Sequence, residues 1–101
     1  MKEVELQKAV LDLLAHIPNT YFFRSGAGLI KTEHGGYFRT GKKGCPDIVG
    51  CMNGKFIGIE LKVGKNKLSP FQQQAKLEIE EAGGEYWEVR SLDDVIEKLS
   101  P

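Results

Sequence analysis

Asn53-Gly54 stands between two β-rich runs, Ile48-Val49-Gly50-Cys51-Met52 and Lys55-Phe56-Ile57-Gly58-Ile59-Glu60-Leu61. An Asn-Gly pair in that setting predicts a two-residue type I′ hairpin turn, because both central positions need φ > 0. Such a loop dictates register: Met52 faces Lys55, and counting outward brings Asp47 opposite Glu60. Directly opposed residues share a face with Cβ atoms about 4.5–5.5 Å apart, a spacing at which like charges destabilise a sheet. Side chains alternate with period two, so Lys62 joins Glu60 on that face while Ile57, Ile59 and Leu61 project from the other. The hairpin therefore carries two carboxylates and an ammonium on one side.

A hard divalent cation would relieve the repulsion, since Mg²⁺ takes oxygen ligands, is commonly held by one or two carboxylates and keeps waters for chemistry. An ion pair from Lys62 to either acid would relieve it too, and charge spacing alone favours neither. The fuller pattern is Pro46-Asp47, then strand-turn-strand, then Glu60-Leu61-Lys62. It resembles the signature of the PD-(D/E)XK nuclease superfamily, and its tight spacing resembles the VRR-NUC family. Leu68-Ser69-x-x-Gln72 and Val89-Arg90-Ser91 extend the similarity, so that it spans roughly residues 5 to 99.

That resemblance implies an α/β fold with a restriction-endonuclease-like core, a mixed sheet flanked by helices in the order αβββαβ with a closing helix. It implies that Asp47 and Glu60 ligate Mg²⁺ or Mn²⁺, with the backbone carbonyl of Leu61 as a further ligand. Glu5 is the first-helix acid that best matches a residue approaching the metal in related nucleases; a solvated glutamate favoured by the helix dipole is the other reading. Gln72 would support the site by orienting Lys62 or a water. An unperturbed lysine, with a pKa of about 10.4, is a poor base at neutral pH, and nearby carboxylates raise that value. Charge stabilisation and water positioning are thus the expected roles of Lys62. Stand-alone members of the family dimerise and cleave four-way DNA junctions. The implied protein is a homodimeric Holliday junction resolvase in the cytoplasm of a bacterium or a phage-infected cell. A flap or single-strand endonuclease, or a non-catalytic DNA-binding module retaining the fold, are the alternatives.

The 101 residues fit a single domain with one core, residues 1–101. Zero net charge argues against a general nucleic-acid coat protein. The charge is unevenly spread. Arg39, Lys42, Lys43, Lys55, Lys62, Lys65 and Lys67 cluster about Asp47 and Glu60, whereas residues 78–97 are acidic apart from Arg90. A solvated acidic face is the simpler reading of the latter run, a protein-partner surface the other. Arg24, Arg39, Lys42, Lys43 and Lys65 are candidate phosphate contacts, sequence-tolerant because phosphates carry no base information. No secretory signal or long apolar run is visible, so a reducing compartment and no membrane are expected, with Cys45 and Cys51 free and Cys51 buried.

Apolar spacing predicts a helix over residues 2–16 with Leu6, Val10, Leu13 and Ile17 as its stripe, ended by Pro18-Asn19. A short strand follows at 20–24, and 29–31 can pair with 37–40 as a second hairpin. His16 and His34 have no partners at ligand spacing. The segment 40–44 reads as a flexible cationic loop. Ser69, Pro70 and Gln72 predict a capped helix to about Ala82, burying Phe71, Ala75, Ile79 and Ala82, with Gly83-Gly84 as its stop. Residues 85–89 form the last strand, whose Tyr86 and Trp87 either pack or stack on bases. Ser91 caps a closing helix with Leu92, Val95, Ile96 and Leu99 inward.

Overall fold

The Asn53-Gly54 turn forms with φ of 52° and 83° at its two positions, and the register runs from Met52↔Lys55 to Ile48↔Ile59 as the spacing predicts. The computed structural model describes residues 2–26 and 28–100, the side chains of 29, 30, 39 and 40 excepted. Its elements are α1 (Glu3–Leu14), β1 (Thr20–Arg24), β2 (Gly28–Lys31), β3 (Tyr37–Thr40), β4 (Ile48–Met52), β5 (Lys55–Leu61), α2 (Pro70–Glu81), β6 (Glu85–Val89) and α3 (Leu92–Leu99). The hairpin β4–β5 is the middle of a four-stranded sheet of order β1-β4-β5-β6. β1 and β4 pair antiparallel, as do β4 and β5, while β6 runs parallel to β5. A parallel neighbour requires a crossover connection, which α2 supplies. β2 and β3 form a separate two-stranded sheet. The architecture is mixed α/β, and no described helix is long and apolar enough to cross a membrane.

The core lies on one face of the large sheet. Ile48, Ile57, Ile59, Leu61, Trp87 and Val89 meet Leu6, Val10 and Leu14 of α1 and Val95 of α3, and each is at most 2% exposed. The stripe of α1 is therefore Leu6-Val10-Leu14. Leu13 and Ile17, expected at its centre, are half-buried, because the helix stops at Leu14 and Ile17 falls in the turn beyond it. Both aromatic residues of β6 are buried rather than offered to bases, and the Trp87 indole N–H donates to Glu85 Oε1 at 3.0 Å.

α2 occupies the opposite face, entered through the expected cap: Ser69 Oγ accepts from the Gln72 amide at 3.2 Å and Gln72 Oε1 accepts from the Ser69 amide at 2.9 Å. Its stripe is less covered than its spacing suggests. No residue of α2 is fully buried, Phe71 is 52% exposed and Ala82 is exposed. Ile79 reaches the sheet at Gly58 and Gly84, but the first turn leans on loop 41–44 instead. The β1–β4 half of this face carries no helix, so Cys51 is exposed and not buried, as are Tyr21 and Phe23. Ser91 holds the N-cap position of α3 without a side-chain capping bond, and Asp94 instead accepts from the Arg90 amide at 2.7 Å.

Candidate active site

Asp47 sits one residue before β4, where its carbonyl accepts from the Ser25 amide at 2.9 Å, so the β1 connection pins its backbone. Its carboxylate turns across to β5 and accepts from the Leu61 amide at 2.8 Å. Glu60 comes from the facing strand, 3% exposed. Its Oε2 accepts from Gln72 Nε2 at 3.3 Å and lies 3.9 Å from Lys62 Nζ, whereas its Oε1 is buried without a hydrogen-bond partner. Gln72 thus serves two ends at once: its Oε1 closes the α2 cap and its Nε2 orients Glu60, not Lys62.

Burial pushes the Glu60 carboxyl up to about 8, helped by the negative charge of Asp47 and by the proton the two groups can share. Lys62 opposes the rise, and Glu3 adds a little to it. Glu3 is the α1 acid whose charge reaches the site. Glu5 is exposed, and its Oε1 accepts from the Lys2 amide at 3.3 Å across the helix N-terminus. Tyr86 projects from the site side of β6, level with Gly58. Its buried hydroxyl has no partner, and burial followed by the charges of Glu60 and Asp47 holds its pKa far above the usual phenol value. Glu88 is level with Glu60 on the parallel strand and pairs with Arg90 at 3.0 Å. Period-two alternation on β6 would have put Tyr86 and Glu88 on one face, but only the register with β5 identifies that face as the site's.

The expected cations divide. Lys42 Nζ is paired with Glu78 Oε1 at 2.6 Å, which raises the lysine pKa and lowers that of the glutamate, both side chains remaining exposed. Lys43 Nζ stands 3.7 Å from the ring centroid of Phe71. Loop 41–44 is therefore anchored to α2 through both lysines. Gly44 tightens the anchor: its φ is +82°, and a Cβ there would run into the Phe71 carbonyl. Lys65 is exposed on the loop after Lys62, which Arg90 braces by donating to the carbonyls of Gly64 at 2.8 Å and Asn66 at 2.6 Å. Arg24 is level with Ile48, on the α1 side of the sheet and away from Asp47. The Arg39 side chain lies outside the described ones.

Asp47 and Glu60 are the two carboxyl groups that the hairpin brings face to face. Among the described residues no group of three or more His, Cys, Asp or Glu converges on a common point. Two carboxylates with a bare oxygen suit a hard cation that retains waters, as Mg²⁺ does, better than one enclosed entirely by protein. Comparison with family models, curated proteins and solved structures finds no match to this chain.

Proposed function

We propose that the chain is a divalent-metal-dependent DNA endonuclease of the PD-(D/E)XK type, with a restriction-endonuclease-like core. The observation that carries this reading is the buried Glu60 carboxyl set against Asp47, its Oε1 without a hydrogen-bond partner among the described residues and its pKa pushed up to about 8 by burial and then by the Asp47 charge. Two carboxyl groups facing each other out of water cannot both ionise without compensation, and such pairs persist where a ligand or a reaction uses them. The resemblance of Pro46-Asp47 and Glu60-Leu61-Lys62 to the nuclease signature supports the same conclusion. An ion pair to Lys62 alone is a weaker account, since at 3.9 Å it leaves the second oxygen bare.

Asp47 and Glu60, joined by the Leu61 carbonyl, would hold Mg²⁺ or Mn²⁺; the bound ion would neutralise charge on the scissile phosphate and lower the pKa of an attacking water. Every other role falls to the chain. The Leu61 amide fixes the rotamer of Asp47, Gln72 fixes that of Glu60, and Lys62 orients water and stabilises charge developing on the phosphate. Lys65, exposed on the loop that follows Lys62, would supply a phosphate contact. Junction specificity and a homodimer are carried by the resemblance: a small core reads DNA shape better than sequence, and a two-fold pair would set two sites on one branched substrate.

The test is cleavage of a labelled four-way junction against linear duplex, flap and single-stranded DNA, in Mg²⁺, Mn²⁺ or EDTA, by wild type and Asp47→Ala. Paired symmetric cuts confined to the junction, lost in EDTA and in the variant, are expected. A junction bound but left intact in both metals would replace the nuclease by a DNA-binding module.

A further inference from the structure

Between loop 41–44, β5 and the first turns of α2 lies a cavity of about 430 Å³. Phe56 and Phe71, residues 45% and 52% exposed, border it, and Pro46, Ala75 and Ile79 complete an apolar wall. Lys42 and Lys43 also line it, and the one carboxylate among its lining residues, Glu78, is already paired with Lys42. The volume is that of a small-molecule site, about 300–1,000 Å³. Its place is informative too. Cys45 and Pro46 line it and lead directly into Asp47, so the cavity wall is continuous in chain with one member of the carboxylate pair.

We propose that this cavity is a nucleobase subsite, taking one unstacked base from the strand whose phosphodiester lies at Asp47 and Glu60. The proposal rests on the nuclease reading of that pair. Charge complementarity selects the occupant. A nucleotide offers a flat apolar face and an anion a short distance away, and the cavity offers two half-exposed aromatic side chains and one ammonium, Lys43, 3.7 Å over the Phe71 ring and balanced by no lining carboxylate. An apolar protein segment would match the rings but leave unmet the charge of Lys43, which no carboxylate of the lining balances. Recognition is by the face of the base, because the polar groups at the α2 side satisfy each other: Gln74 Nε2 donates to Glu78 Oε2 at 3.2 Å, and Glu78 Oε1 accepts from Lys42. Stacking of this kind tolerates any base. The substrate must then present an unpaired nucleotide next to the cut. Single strands and branch points do so freely, whereas an intact duplex must first unstack one.

The experiment places 2-aminopurine, or an abasic residue, at each position around the cleavage site of a flap or single-stranded oligonucleotide. Fluorescence is read in Ca²⁺ and cleavage in Mg²⁺, for wild type and Phe71→Leu. Because Phe71 is half exposed, its loss should leave the fold intact, and matched melting temperatures check this. Quenching at one position is expected, lost in Phe71→Leu together with about tenfold in affinity, the scale of one stacking contact. An abasic residue at that position should cost wild type the same tenfold and cost the variant nothing further. Metal-dependent cleavage that ignores abasic residues everywhere would overturn the subsite and leave the nuclease standing. Phe71-dependent quenching on DNA that is never cut would do the reverse. A change in sedimentation of Phe71→Leu with DNA binding unaltered would assign the cavity to a second copy and sink the proposal.

Discussion

Glu60 holds a carboxyl where water scarcely reaches, 3% exposed, with one ammonium at 3.9 Å and a second carboxylate facing it. Its pKa, pushed up to about 8 by burial and then by Asp47, sets a sign for stability. The folded state keeps a proton that the unfolded chain releases at its ordinary value of 4.5. The contribution is thus full below that value and is lost as pH climbs to about 8. In EDTA, Glu60→Gln should therefore gain melting temperature relative to wild type on going from pH of about 5 to about 8.5. An equal difference at both pH values would mean that the buried charge is not what sets stability there. Asp47, Glu60 and Lys62 were legible in the sequence because turn chemistry and period-two alternation are local. Glu3 and Tyr86 were not, since one depends on where α1 docks and the other on a pairing with β5 made across the whole of α2.

Loop 41–44 and the turn at 53–54 are both built on glycine with positive φ, but for different reasons. At Gly54 nothing lies within 4 Å of an added Cβ, so only the backbone conformation resists a side chain. At Gly44 the Phe71 carbonyl occupies the same space, and the strain of positive φ adds to a collision with backbone. Gly54→Ala should cost about 1 kcal/mol, the usual penalty for a left-handed residue. Gly44→Ala should cost more, about 2–3 kcal/mol, because α2 or the loop must shift as well. Urea denaturation of the two variants side by side measures the difference, and equal losses would show that the loop is not seated on α2. The caps and limits of α2 and β6 were readable from Ser69, Pro70, Gln72 and Gly83, each acting on its near neighbours. That Lys42 and Lys43 would be spent on Glu78 and Phe71 was not readable, because the contact joins segments far apart in the chain.

The molecule is longer than its size requires. Its radius of gyration is 14.2 Å and its longest extent 49 Å, against a radius of about 13 Å for a compact chain of 100 residues. The β2–β3 hairpin, separate from the main sheet, carries Tyr37 and Phe38 at 66% and 53% exposure. Two strands alone are marginally stable in water. β5 is the opposite case, hydrogen-bonded on both edges and buried at Ile57, Ile59 and Leu61. Local opening free energies follow such differences in burial. Amides of residues 57–61 should accordingly exchange slowest, near the global unfolding rate, and those of 28–31 and 37–40 orders of magnitude faster. Equal protection of the two segments would mean that something in solution covers the hairpin. If that protection then fell on dilution, the cover would be a second copy of the chain, and the aromatic residues of the hairpin would be interface rather than surface.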